Sequence, residues 1–373
     1  MRLLVVSHPA VLAVNQLPYA ELRRHGWDPY LVTPSRWRNE YTHGWFPHEV
    51  LPELSGRVAG RRVALLGSIQ RHFYLTAISE VIEQVRPAAA FIEQEPTAVS
   101  SFQWGRLLRR AGVPYGVQAA ENLDRPYPLV ARALRRWTLA NAAFAAARSP
   151  AAAELVRSVR PGVRAPVVPH HVPAFPPASR PPQQDFVIGY AGRLVPEKGI
   201  DVLIDAAAVL DQTVVRLVGN GPHRAELEAL ATARSVRLEI DSSVKHEQMA
   251  AAYATFDVLV LPSRTTPRWA EQFGRVLVEA SSCGVPVVGS DSGEIPWVIG
   301  ATGGGLVVPE GDVAALRDVL IRLRDSTQLR GELGTRGREQ AQERFSVAAV
   351  AGALHRALTD AAQHRVDGSA SSA

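Results

Sequence analysis

Between residues 186 and 308, six short apolar runs (186–191, 214–218, 236–240, 257–261, 285–289 and 305–308) are separated by stretches of helical character. Those stretches are 200–210, 222–234, 246–255, 274–283 and 294–299, several with apolar residues at i, i+3 and i+4. A continuous apolar run has no polar face, so as a strand it must be covered on both sides. Such strands, alternating with helices, predict a parallel sheet with helices on each face, a doubly wound α/β domain. The first half repeats the theme with runs at 3–7, 29–33, 88–93, 114–119 and 142–147 and helical stretches at 16–25, 73–86 and 99–111. A final helical stretch, 347–363, precedes a polar tail expected to fray.

The seam between the halves is PVVPHHVPAFPPASRPP, residues 166–182, where 7 of 17 residues are Pro. Proline at that density forbids a helix or a central strand, so the segment reads as an extended connector. The expected division is a first domain at 1–168, a linker at 169–184, a second domain at 185–350 and a closing helix and tail at 351–373 that pack back on the first domain. Two such domains predict a deep cleft, with ligands beyond the carboxyl ends of the strands. His170 and His171 are adjacent on an extended segment and point to opposite sides, so they read as hinge residues and not as a metal pair.

Composition narrows the class. A chain of 373 residues is long enough for two cores, and a single Cys283 excludes a disulfide framework and a thiolate zinc site. That lone thiol suits a reducing cytoplasm, and no window of 18 apolar residues spans a membrane. The opening MRLLVVSHP is too short in apolar length for a signal peptide and reads as a first strand. Charge is lopsided: residues 1–180 hold 22 Arg and no Lys against 12 acids, +10, leaving about −5 of the overall +5 for the remainder. A basic first half attracts an anionic partner such as a membrane surface, although Arg on solvated helix faces explains the same count. No nucleic-acid-binding motif accompanies it.

Three loops at strand ends carry the informative residues. In GYAGRLVPEKG, Gly192 ends a strand, and Arg193 and Lys198, one of two lysines in the chain, sit before a helix. Cations beside a helix N-terminus favour an anion, because exposed backbone N–H groups and the dipole add to their charge. The second loop, Gly219-Asn220-Gly221-Pro222, lets backbone approach a ligand, but Arg224 stands where a dinucleotide fingerprint needs Gly. The third, PSRTTPRWAEQFGRVLVEA, places Glu271 and Glu279 eight residues apart, about 12 Å along the axis if helical throughout. That spacing suits two ends of one extended ligand, with carboxylates accepting from sugar and ribose hydroxyls and the N–H groups near Gly274 meeting a diphosphate.

These residues resemble the retaining nucleotide-sugar glycosyltransferases of family 4, the group 1 glycosyltransferases, with the GT-B fold of two facing Rossmann-like domains. The matching pieces are Gly192-Arg193-Leu194 with Glu197-Lys198-Gly199, Val218-Gly219-Asn220-Gly221, Leu261-Pro262-Ser263, Glu271-Gln272-Phe273-Gly274 through Glu279-Ala280, and Cys283-Gly284-Val285-Pro286-Val287-Val288. Gly304-Gly305-Leu306-Val307-Val308 and Arg344-Phe345-Ser346 complete the order.

The resemblance implies that Arg193 and Lys198 hold the donor diphosphate, Glu279 the ribose and Glu271 the transferred sugar, these being the catalytic and donor residues together with Gly192, Gly219, Asn220 and Gly221. The backbone of Phe273, Gly274 and Arg275 would line the sugar phosphate, and Ser243 and Val244 the base. It further implies no metal or other cofactor, a nucleoside-diphosphate sugar as donor, and a first domain that binds a small-molecule or lipid-linked acceptor. Apart from the resemblance, the lone Cys283 points to a cytoplasmic location, and the Arg-rich stretches 57–71 and 132–136, interleaved with Val and Leu, to weak peripheral contact at the inner face of a membrane.

The first half departs from the family. Ser7-His8-Pro9 stands where a Gly-Gly loop is common, and Gln118-Ala119-Ala120-Glu121-Asn122 lacks the family's His. Acceptor-side candidates are therefore His8, Glu95, Glu121 and Asn122, with Glu93 nearby. A nucleotide-sugar 2-epimerase on the same fold, or an inactive nucleotide-sugar-binding subunit, are the competing readings.

Overall fold

The computed structural model describes residues 1–38, 44–173, 175, 184–242, 244 and 248–370, the side chains of 364–370 excepted. The fold divides into two units, Met1–His171 with Val347–Ala373, and Val172–Ser346.

The first unit is built on a six-stranded parallel sheet: β1 (Arg2–Ser7), β2 (Asp28–Pro34), β3 (Val58–Arg61), β4 (Ala89–Glu93), β5 (Tyr115–Ala119) and β6 (Phe144–Ala147), in the order 6-5-4-1-2-3. Its helices are α1 (Leu17–Glu21), α2 (Ile78–Val85), α3 (Val99–Arg110), α4 (Leu129–Asn141) and α5 (Pro150–Val159). Side chains alternate across a strand, and β1 shows the result. Leu3 and Val5 enter one cluster with Leu31, Phe91 and Phe144, while Leu4 and Val6 enter another with Val32, Ile92, Trp104 and Leu108. Both faces are therefore buried, as the apolar runs require.

The second unit repeats the plan. Strands β7 (Phe186–Ala191), β8 (Thr213–Val218), β9 (Arg237–Asp241), β10 (Val258–Leu261), β11 (Val287–Ser290) and β12 (Gly305–Val308) run parallel in the order 9-8-7-10-11-12. Helices α6 (Ile200–Ala207), α7 (Arg224–Ala233), α8 (Met249–Ala254), α9 (Arg275–Ser282), α10 (Ile295–Thr302), α11 (Val313–Asp325) and α12 (Thr327–Phe345) complete it. Asp312 caps α11 by accepting from the N–H of Ala315 at 2.9 Å, and Ser326 caps α12 through Leu329 at 3.1 Å. Each sheet has the strand order of a doubly wound fold, with its first strand central and the direction of winding reversed there.

All eleven expected strands are present within two residues of their expected ends; β3, half-buried at a sheet edge, is additional. Several expected helices are shorter. Of 16–25 only Leu17–Glu21 is α-helical, between tighter turns, and in 73–86 Phe73–Tyr74 form a short strand before α2. The stretch 200–210 stops at Ala207.

The seam also differs. Val167 bridges Ala147 and Val168 donates to the Ala147 carbonyl at 2.7 Å, so the sheet edge of the first unit extends into the Pro-rich segment. Val172 already belongs to the second core and donates to the Phe345 carbonyl at 2.8 Å. Residues 174 and 176–183 lie outside the described residues.

The last helix, α13 (Val347–Ala370), runs on through most of the tail expected to fray. It starts before the expected boundary at 350 and lies wholly in the first unit. Val350, Leu354 and Leu358 complete the cluster that holds Leu3 and Val5. Trp27 donates its indole N–H to His355 at 3.1 Å, His25 stacks on the same imidazole at 4.6 Å, and Arg164 pairs with Asp360.

Candidate functional site

The carboxyl ends of β7, β8 and β10 carry loops pressed together at van der Waals limits. Gly219 has φ +148°, and a β-carbon there would lie 1.9 Å from the Gly192 carbonyl oxygen. A β-carbon on Gly199, φ +63°, would lie 2.1 Å from the Pro262 carbonyl oxygen. Only glycine permits both the dihedral and the approach. Hydrogen bonds bind the same loops: Leu194 N–H to Asn220 O at 3.0 Å, His223 N–H to Leu194 O at 3.1 Å, and Arg264 N–H to Glu197 O at 2.8 Å. Arg264 also pairs with Asp201 at 2.7 Å.

Lys198 thus stands on a tight turn, Pro196–Lys198, fixed at both sides. Its ammonium pairs with the Glu271 carboxylate and lies 5.0 Å above the Trp269 ring. Both side chains are nearly covered, at 12% and 11% exposure. Ser263, fully buried, donates to the same Glu271 oxygen at 3.0 Å. From behind, the loop after β11 closes on Glu271: Glu294 N–H donates to its carbonyl at 2.9 Å, and a β-carbon on Gly293 would sit 2.2 Å from that oxygen. The half-buried Arg193 accepts the Tyr190 hydroxyl at its carbonyl, 2.7 Å. Burial pushes the Tyr190 phenol well above its usual range; the Glu271 charge adds to this, and the Arg193 charge opposes it. Arg193, Tyr190, Glu271 and Lys198 form one electrostatic cluster.

Glu279 lies on α9, buried, accepting from the Tyr253 hydroxyl at 2.6 Å and facing Arg275 at 3.5 Å. The Tyr253 phenol is raised by burial and by that carboxylate. Helical spacing does not relate Glu271 to Glu279, because the helix begins only at Arg275; Gly274, φ +75°, is its N-cap, and Glu271 is in the loop before it. The expected axial separation therefore does not apply. Phe273 turns its ring into the core against Trp297 and Phe345, at 6.0 and 5.8 Å, leaving its backbone as the part able to face a ligand. The Asn220 amide oxygen accepts from the Gly221 N–H at 2.8 Å. Val244 packs half-buried on the core, and Ser243 lies outside the described residues.

Residues 172–340 match the family described as "Glycosyl transferases group 1". The second unit matches that family over nearly its whole length. A GDP-mannose-dependent monoacylated alpha-(1-6)-phosphatidylinositol monomannoside mannosyltransferase of Corynebacterium glutamicum is 34% identical over 166 residues, 43% of each chain. A D-inositol 3-phosphate glycosyltransferase of Saccharomonospora viridis is 32% identical over 52% of this chain and 48% of the relative. The chain thus spans about half the length of these curated relatives. Among solved structures, sucrose-phosphate synthase from Thermosynechococcus elongatus superposes with a TM-score of 0.73 at 22% identity, over 97% of this chain and all of that one. At that identity the likeness concerns fold, and both Rossmann-like sheets of the GT-B class are present.

The acceptor-side candidates of the first unit fall into two places. His8 packs among Trp37 and His72, at 4.9 and 5.6 Å between ring centres, with Nδ1 against the Gln94 amide. Burial, then the His72 charge, lowers its pKa to about 3, so it is neutral at physiological pH. Glu95 lies elsewhere, buried after β4, accepting the Ala120 N–H at 2.7 Å. Burial, then the neighbouring Glu121, raises its pKa to about 8. Glu121 pairs with Arg125, and Asn122 follows in the same half-buried loop after β5. Glu95 and Glu121 line a small pocket with Tyr127, Arg135 and Leu139. Glu93 is committed to the strand ends: Arg148 at 2.7 Å, Ser7 at 2.6 Å and Tyr19 at 2.6 Å all engage it.

Sequence reasoning missed Ser263, Trp269, Tyr253 and the Ser292–Glu294 turn as parts of the site. The Ser292-Gly293-Glu294 triplet, separated by two residues from the apolar run 285–289, was the available signal for the last. No His, Cys, Asp or Glu cluster able to hold a metal occurs among the described residues, and no helix among them is long and apolar enough to cross a membrane.

Proposed function

We propose that this protein transfers a sugar, with retention at the anomeric carbon, from a nucleoside diphosphate to a hydroxyl of a glycolipid or polysaccharide precursor. The observation that carries the reading is the buried Lys198–Glu271 pair at the strand ends of the second unit. An arriving diphosphate offers the ammonium a denser negative charge than one carboxylate. Lys198 then turns to phosphate, and Glu271 is released to accept hydroxyls of the sugar. The α9 N-terminus and Arg193 add positive potential, and Glu279 on α9 is suited to ribose hydroxyls.

As the anomeric carbon–oxygen bond breaks, its electron pair stays on the departing phosphate. The acceptor oxygen bonds to carbon on the same face and gives its proton to that phosphate oxygen. Stabilising the leaving charge is then the dominant catalytic effect, and fixed cations supply it without a metal ion. The relatives named as GDP-mannose-dependent and as acting on an inositol phosphate or a phosphatidylinositol mannoside support a nucleotide-sugar donor and a precursor acceptor. Weak contact with an anionic membrane belongs to the same reading, resting on the +10 charge of residues 1–180.

The test is a thermal-shift comparison of UDP- and GDP-sugars, followed by turnover of whichever raises the melting temperature, with and without EDTA. Product with the donor's anomeric configuration, formed equally in EDTA, is expected. Donor epimerised without glycosylated product would overturn the proposal, as would activity that depends on a divalent metal.

A further inference from the structure

Helices α3 and α4 pack together and carry Arg106, Arg109, Arg110, Arg132, Arg135 and Arg136 without one acidic residue in either. These arginines divide between two hollows: Arg106, Arg109 and Arg110 line one with Phe102 and Trp137. Arg132, Arg135 and Arg136 line an open basin with Arg125, Tyr127 and Asp124. Two guanidinium groups lie over the Tyr127 ring, Arg125 at 5.9 Å and Arg135 at 5.6 Å from its centre. Arg125 pairs with Glu121, and Arg135 with Asp124 at 3.2 Å. Among the described residues, Arg132 and Arg136 have no carboxylate within ion-pair distance. Four guanidinium groups against two carboxylates leave a surplus of two positive charges, matching a phosphate monoester near neutral pH. Through Tyr127 and Arg135 the basin adjoins the Glu95–Glu121 pocket at the carboxyl ends of β4 and β5, the edge of a doubly wound sheet where ligands bind.

We propose that this arginine basin is a phosphate-binding site of the first unit, engaging a phosphate group carried by a ligand whose remainder reaches toward Glu95 and Glu121. It stands on the first unit alone and does not depend on the donor reading of the second.

Equilibrium dialysis of the full chain with labelled inorganic phosphate, at low ionic strength, tests it. Two classes of site are expected, one lost in Lys198→Ala and the other weakened at least tenfold in Arg132→Ala/Arg136→Ala. Both of these arginines are exposed, so folding should be unaffected. The control is Arg109→Ala/Arg110→Ala, which removes the same charge from α3 outside the basin and should leave binding within twofold. Equal weakening by both double variants would mean a diffuse basic field and overturn the proposal, as would the absence of any phosphate site in Lys198→Ala. If Lys198→Ala fails to fold, the count of sites in the two double variants still decides, since only Arg132→Ala/Arg136→Ala should lose one. Glycerol 3-phosphate and phosphatidylcholine vesicles containing phosphatidic acid separate the sources. Displacement of phosphate by glycerol 3-phosphate alone supports a soluble phosphate, and basin-dependent capture on the vesicles supports a lipid headgroup.

Discussion

The two units share one strand order and yet use the carboxyl ends of their strands differently. In the first, Arg148 after β6 is held by Glu93, by Gln118 at 2.6 Å and by the carbonyls of Val168 and Pro169, so its charge closes the sheet end. In the second, Lys198 has a carboxylate partner and an aromatic floor, on a turn backed by glycine. Both are buried cations facing a glutamate. One sits in a network that holds it from several sides, and the other in a pair that, on the proposed function, a diphosphate opens. Burial of charge alone therefore does not mark a functional group; the number of independent partners separates a structural ion pair from one able to exchange.

The comparison breaks if Arg148 and Lys198 respond alike to truncation. Arg148→Ala is expected to destabilise the first unit by about 3–5 kcal/mol, because Glu93 is left buried and uncompensated; urea unfolding measures it. Lys198→Ala is expected to lower kcat/KM by about 10²–10³-fold, with a smaller loss of stability than Arg148→Ala. A larger loss of stability at Lys198 would reverse the two roles.

Next in size, Leu358→Ala on α13 should cost about 2–4 kcal/mol in the urea transition of the first unit and leave that of the second unchanged. The pH dependence sharpens the same contrast. Glu95 rises from 4.5 to about 8 on folding, so its contribution is complete below pH 4.5 and is lost as pH climbs toward 8. His8 falls from 6.5 to about 3, so its contribution is complete above pH 6.5 and is lost as pH drops toward 3. Between 4.5 and 6.5 the two slopes oppose each other. Burial also lowers the pKa of His72, His48 and His355 of the same unit, which adds to the His8 slope, so stability of the first unit should fall below pH 4.5 and again above pH 6.5. Glu95→Gln should remove the decline between pH 6.5 and 8, which is on the order of 1 kcal/mol per pH unit in the parent. Smallest is Arg164→Ala, which opens the exposed pair with Asp360 and should cost at most about 1 kcal/mol.

Much of the fold was legible because the strands buried on both faces are uninterrupted apolar runs. Where burial is partial the signal fades: β3 is half-buried at an edge, and α4 buries only Thr138 and Leu139, so neither has a clear apolar pattern. At the site, the glycines and the two cations were visible as strand-end residues in a fixed order. The Lys198–Glu271 pair was not, because it joins residues 73 apart through the approach of two loops, a tertiary fact with no local period. His8 was placed near an acceptor on position alone, and its aromatic surroundings come from Trp37 and His72, distant in sequence.

The return of α13 to the first unit sets an order of assembly. A ribosome that has released the chain through Ser346 has delivered everything the second unit needs, while one side of the first sheet still lacks its cover. The earlier-made half is thus the later-finished one, and until the final turns emerge Leu3, Val5, Phe91 and Phe144 are exposed to whatever apolar surface is nearby.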